Sequence, residues 1–314
     1  MKYGKIRNLD VLQEDTMSQI LVVGATGMVG GEVCRLLAAA GKPVQALVRP
    51  TSNPEKVRAL QALGVETVVG DLRDRTSLAA ACAGVDAVIT TASSMPFAYK
   101  PGENDIATTD LRGMADLVEV AEAAGVRHFV YTSISANMNL DFPTGNAKRA
   151  VEQQLKHSGM TYTILRPGFF MEVWLSPAVG FDVAAGKVTI YGTGHQPLAW
   201  IAAADVARFA VASLDNPAAV NAVLELGGPA NVSPLEVVSI FEAATGRTLE
   251  CQFVPAEALA AQQAAATDPM QQSFAALMRC VAAGDPIDMC ATLKAFPLEL
   301  TSVEAFAHRM LVPA

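Results

Sequence analysis

Residues 20–35, ILVVGATGMVGGEVCR, constrain the fold of this chain more than any other stretch. Ile20, Leu21, Val22 and Val23 form an apolar run closed by a glycine, the pattern of a short strand buried on both faces. Gly24, Gly27 and Gly30 follow with G-x-x-G-x-x-G spacing, and Val33, Leu36 and Leu37 then recur on one face of a helix. Strand, glycine-rich turn and helix in this order open a dinucleotide-binding βαβ unit. There one glycine permits the tight turn, one lets backbone approach a pyrophosphate, and one lets helix and strand pack closely. The free N–H groups of the helix start then face the phosphates. Thr26, Met28 and Val29 complete the expected contact set around the three glycines.

With 314 residues, 51% of them hydrophobic and 17% charged, the chain can bury a sizeable core. A formal net charge of −8 argues against nucleic acid or an anionic membrane surface as the main partner. Cys34, Cys82, Cys251, Cys280 and Cys290 are scattered and lack C-x-x-C spacing, so they read as small core residues in a reducing compartment. Neither His128 nor His195 has metal-ligand spacing, and no metal site is expected. Residues 1–17 lack the apolar segment of a signal peptide and read as a leader, either disordered or upstream of a true start near Met17. No apolar run is long enough to span a bilayer, and a cytoplasmic location is expected.

In chain order, strands are expected at 44–48, 66–69, 86–91, 128–133 and 161–165, alternating with helices at 55–63, 77–82, 110–124 and 146–157. Such alternation implies a doubly wound parallel α/β sheet covered by helices on both faces. Residues 18–168 would form the dinucleotide-binding core. Residues 169–314 would complete the sheet at about 199–228 and build a small substrate lobe, with Asp205 capping a helix over 206–214.

The second strand ends at Arg49, nineteen residues after Gly30, with Ser52 close by and no acidic residue before Glu55. An acidic side chain at this place would hold the ribose 2′-hydroxyl of NAD, whereas an arginine suits the 2′-phosphate of NADP. NADP(H) is therefore the expected cofactor. Asp71, followed by Leu72, either reaches the adenine edge or holds its own turn, and Ala92 and Ser93 leave room beside the cofactor backbone. The Pro/Gly-broken loop 95–104 carries Phe97 and Tyr99 and is either a flap or an ordinary surface loop. Phe169, Phe170 and Trp174 would line an apolar pocket for a flat substrate, or else belong to the core.

Taken together, GATGMVG, LVRP, VGDLRD, FVYTSIS, Lys148 and YTILRPGFFMEVWL resemble the NmrA-like, atypical branch of the extended short-chain dehydrogenase/reductase superfamily, over about 20–228. The resemblance implies a Rossmann fold with a small C-terminal substrate lobe and NADP(H) bound at the glycine motif and Arg49. It also implies a catalytic serine and a Tyr-x-x-x-Lys pair. Ser133 and Lys148 match the serine and lysine, but Thr144 stands four residues before Lys148, where the tyrosine would be. A threonine hydroxyl is far too weak an acid to replace a phenol. Two functions stay open. One is an NADPH-dependent oxidoreductase passing hydride to a quinone or similar conjugated carbonyl compound, with Lys148 at the nicotinamide ribose. The other is a non-catalytic NADP(H) sensor that binds a regulatory protein partner. A homodimer is equally open.

Overall fold

The apolar run of β1 (Ile20–Val23) is buried from end to end because it lies inside a sheet with helices on both faces. A computed structural model describes residues 19–95 and 98–311. The expected leader, residues 1–17, and Phe97 lie outside the described residues. After β1 come α1 (Met28–Ala39), β2 (Val44–Val48), α2 (Pro54–Ala62), β3 (Glu66–Val69), α3 (Arg75–Cys82) and β4 (Ala87–Thr90). A π-helical stretch, Ile106–Gly113, runs directly into α4 (Met114–Ala123), and β5 (His128–Thr132), α5 (Pro143–His157) and β6 (Thr161–Pro167) follow. Next are β7 (Phe169–Phe170), α6 (Met171–Trp174), β8 (Phe181–Asp182), β9 (Lys187–Tyr191), β10 (Leu198–Ile201) and α7 (Ala203–Ala212). The chain continues through β11 (Ala222–Leu226), β12 (Asn231–Val232), α8 (Pro234–Thr245) and β13 (Glu250–Val254). It then turns helical in α9 (Ala256–Ala265), α10 (Pro269–Ala283), α11 (Cys290–Ala295) and α12 (Val303–Leu311).

Seven parallel strands form the main sheet in the order β11-β6-β5-β4-β1-β2-β3, a Rossmann-type doubly wound arrangement. On one face, Val33 and Leu37 of α1 meet Val206 and Phe209 of α7. On the other, Leu78, Leu117, Val118, Val151 and Leu155 pack around Phe129 and Tyr131. Burying each such large apolar side chain stabilises the fold by about 1.5–3 kcal/mol. A third cluster gathers Phe169, Phe181, Trp200 and Phe241 in the later part of the chain.

Within residues 199–228, β11 joins the main sheet, whereas β10 pairs with β12 and β7 in a separate three-stranded sheet. A further sheet, β13-β9-β8, brings a strand from Glu250–Val254, beyond α8, beside β9. Asp205 does not cap the helix as expected. Helix α7 starts at Ala203, whose N–H donates to both carboxylate oxygens of Glu172 at 3.0 Å. The buried Asp205 carboxylate instead accepts from Thr301 N at 2.7 Å and pairs with Arg208, which ties the C-terminal segment to α7. Among the described residues no helix is long and apolar enough to cross a membrane.

Candidate functional site

Strand order reverses between β1 and β4, because the chain runs outward through β2 and β3 before returning to β4. A crevice at the carboxyl ends of the strands on either side of such a reversal is where α/β sheets bind ligands. Gly24 leaves β1 with φ +86°, in the left-handed region, and a Cβ there would meet the Ala92 backbone nitrogen at 2.8 Å. A Cβ on Gly30 would lie 2.2 Å from the Gly24 carbonyl oxygen, so the start of α1 rests directly against the strand end. Gly27 is the N-cap; its N–H donates to Gly24 O at 2.9 Å, and it brings no side chain to close the helix start. The first turn of α1 carries no acidic residue either. The helix therefore offers unclaimed N–H groups and its positive dipole end to an anion. Around this cradle Thr26 is half-buried, Met28 is exposed and Val29 is buried. A pyrophosphate fits a turn of this construction.

Arg49, just past β2, is half-buried, and among the described residues its guanidinium makes no hydrogen bond or ion pair. Its backbone N–H donates to Ser52 Oγ at 2.9 Å, so the Ser52 hydroxyl holds the turn that presents the guanidinium. Sequence reasoning overlooked a second cation, Lys56 of α2, whose Nζ reaches the Thr26 carbonyl at 3.1 Å. Arg49 and Lys56 thus put two positive charges beside the glycine turn. Asp71 is gripped by Arg73, with Nε to Oδ1 at 2.9 Å and the second guanidinium nitrogen to Oδ2 at 2.8 Å. The Arg73 hydrogen bonds outweigh burial and, with the charge of Arg49, hold the Asp71 carboxyl below its ordinary value. Asp71 therefore holds its own turn, and Leu72 is buried in the core.

Ala92 and Ser93, beyond β4, are half-buried beside Gly24, and Ser93 Oγ accepts from Met95 N at 3.2 Å. Ser94 is tied by N–H (3.0 Å) and hydroxyl (2.5 Å) to Asp110 Oδ2 in the π-helical stretch. Residues 110–124 were expected as one α-helix; π-helical turns are rare and concentrate at functional sites. The other Asp110 oxygen is buried without a hydrogen-bond partner.

Lys148, on α5, is buried, with Nζ donating to Thr132 O at 3.1 Å and standing 5.1 Å from the centre of the Tyr131 ring. Burial pushes its ammonium below the ordinary lysine value, against the opposing charges of Asp110 and Glu152. Ser133, at the end of β5, is also buried and donates its hydroxyl to Glu152 Oε1 at 2.5 Å. Arg149 and Arg166 both pair with this same carboxylate. Burial raises the Glu152 carboxyl, but the hydrogen bonds from Arg166 and Ser133 and the two guanidinium charges prevail and hold it below its ordinary value. Arg149 also donates to the carbonyls of Ile134 and Ser135, which fixes the loop after β5. Glu152 escaped sequence reasoning because its partners lie on three separate segments.

Thr144, at the start of α5, donates its hydroxyl to Ser273 Oγ of α10 at 3.0 Å. Tyr99 of the 95–104 loop lies close enough to α10 that the charge of its N-cap residue, Asp268, adds to burial in raising the phenol. Loop, α10 and the start of α5 therefore converge over the strand ends. Phe169 is core, with an edge-on contact to Trp174 at 5.1 Å, and Phe170 packs against the sheet side. Trp174 borders a narrow crevice shared with Trp200 and Tyr191. A larger cleft, of about 390 Å³, runs between α5 and the α9–α10 pair and has a polar rim of Asp141, Asn146, Gln263, Gln272 and Arg279. Among the described residues no His, Cys, Asp and Glu group is placed to hold a metal ion.

The sequence profile of the NmrA-like family matches residues 16–307. An NAD(P)H azoreductase from Xenophilus azovorans is 36% identical over 273 residues, which is 87% of this chain and 89% of that protein. An isoflavone reductase homologue from Zea mays is 31% identical over 94% of this chain and 98% of its own length. Among solved structures, an NADPH-dependent quinone oxidoreductase from Escherichia coli, crystallised with NADPH, superposes with a TM-score of 0.76. That match has 23% identity and covers 93% of this chain and 100% of that one.

Proposed function

The chain belongs to the NmrA-like family, and from that premise we propose that it is an NADPH-dependent reductase acting on a quinone or a similar conjugated acceptor. The observation that carries the reading is the uncapped start of α1 over Gly24 and Gly30, with the Arg49 and Lys56 cations beside it. Phosphates of a dinucleotide would be held there, the pyrophosphate by backbone N–H groups and the 2′-phosphate by the guanidinium and ammonium. A bound NADPH would supply a hydride, and the acceptor would also take up one proton to complete a two-electron reduction.

Lys148 is the catalytic residue of this reading. Its ammonium would hold the nicotinamide ribose and lower the energy of negative charge developing on the acceptor oxygen. Ser133, whose proton is committed to Glu152, would act only through its remaining lone pairs. Thr144 supplies no acid comparable to a phenol, and its hydroxyl bonds Ser273. An acceptor that delocalises its own charge, such as a quinone, therefore suits the site. Azo compounds enter the test set because a relative is named for their reduction. Steady-state NADPH oxidation with quinones, enones and azo dyes tests the proposal. Turnover well above background with at least one class is expected, and none above background with any class would contradict it.

A further inference from the structure

Asp110 is a buried carboxylate that the reading above leaves without a task. One oxygen takes both hydrogen bonds from Ser94, while Oδ1 has no partner, and the hydroxyl of Tyr131 on β5 is likewise buried and unpartnered. The buried ammonium of Lys148 lies against the ring of that same tyrosine. Ser94, which holds Asp110, follows β4, and Thr132, whose carbonyl holds the lysine, ends the adjacent β5, while the π-helical stretch packs on α5, so the two buried groups sit at neighbouring strand ends.

Two carboxylates act on Lys148 through their charge, Asp110 and Glu152. Glu152, from the lysine's own helix, is already matched by Arg149 of α5 and Arg166 of β6 and accepts a hydrogen bond from the Ser133 hydroxyl. Tyr131 contributes from β5 a phenol that burial pushes well up, so it brings no negative charge at neutral pH. Asp110 has no cation among its hydrogen-bond partners, only Ser94. A lone ammonium in a low-dielectric pocket tends to lose its proton unless an opposite charge stands nearby.

We propose that Asp110 is a positioning residue for Lys148: from the π-helical turn it supplies the counter-charge that keeps the buried lysine an ammonium. The inference rests on the reductase reading for its functional meaning, because a neutral lysine would lose its charge stabilisation of the acceptor oxygen. The counter-charge itself is measurable on the cofactor-free protein.

The test is a pH titration of the lysine side-chain 13Cε resonances, with Lys148 assigned by its loss in Lys148→Met. Asp110→Asn should move the Lys148 midpoint down by about one pH unit or more, and Asp110→Glu should restore most of it. An unmoved midpoint in Asp110→Asn overturns the proposal. Should Asp110→Asn fail to fold, the double variant Asp110→Asn with Lys148→Met is the deciding one. It should fold again because the stranded charge has gone, and a double variant as damaged as the single overturns the proposal. In turnover assays the alkaline limb should move the same way, with activity largely recovered at lower pH, whereas a purely structural role would depress activity equally at every pH. A wild-type protein without turnover would contradict the reductase reading and leave the titration to decide the role of Asp110.

Discussion

The Ser133 hydroxyl donates to the fully buried Glu152 carboxylate at 2.5 Å, so the serine that matches the family's catalytic position has its proton committed to an ion-pair network. Arg149 and Arg166 complete that network and bind the end of β5 to α5 and β6. Removing the carboxylate would take from both guanidiniums their one fully buried counter-charge, leaving Arg166 with Glu225 and Arg149 with two carbonyls. Glu152→Ala is therefore expected to lower stability by about 3–5 kcal/mol. Urea unfolding of the variant and the wild type checks this; a loss below about 1 kcal/mol would mean that solvent screens the network.

The same carboxylate sets an acid limit. Its folded-state pKa is held below the ordinary 4.5, so the stability it contributes is complete above that value and is lost as pH falls through the lower folded value. Wild-type melting temperature should therefore drop below about pH 4, and Glu152→Gln, though less stable at neutral pH, should show a shallower acid decline. Parallel curves for the two proteins would contradict this.

Lys148→Ala should reduce turnover by about 10²-fold or more if the ammonium stabilises charge on the acceptor oxygen. Ser133→Ala should lose less, because its hydroxyl proton is already engaged. Steady-state kinetics on a productive acceptor compares the two, and an unaffected Lys148→Ala variant would remove the lysine from the chemistry.

Gly30→Ala should destabilise the protein by about 1–3 kcal/mol, the usual range for overpacking. The added Cβ would stand 2.2 Å from a backbone oxygen that cannot turn aside. Thermal unfolding checks it, and a neutral substitution would mean that α1 can back away from the strand.

Arg49→Glu and Lys56→Glu should each weaken NADPH binding about tenfold or more while changing NADH binding little. Equal loss for both coenzymes would contradict a 2′-phosphate role for either cation.

The sheet was legible because its strands are short apolar runs between breakers, and Gly24, Gly27 and Gly30 marked the turn through their spacing between an apolar strand and a helix. The π-helical stretch was not, since only residues 110–113 of the expected 110–124 helix belong to it, too few to register as a change of period. A strand pattern at 198–201 gave no sign of which sheet it would join, because register and partner are set by distant segments. β13 was missed since Glu250, Gln252 and Phe253 are exposed and the segment carries no buried apolar alternation. At the site, Arg49 and Lys148 could be named from their offsets within motifs. Lys56 and Glu152 could not: each is an ordinary helix residue until folding brings it to the Thr26 carbonyl or the Ser133 hydroxyl.

Calorimetric titration of the purified chain with NADPH and with NADH tests the account most directly. Saturable binding is expected for both, about tenfold or more tighter for NADPH, with the difference shrinking as salt rises. An absence of heat and of binding with either coenzyme would contradict the assignment of the glycine turn, Arg49 and Lys56 to a phosphorylated dinucleotide.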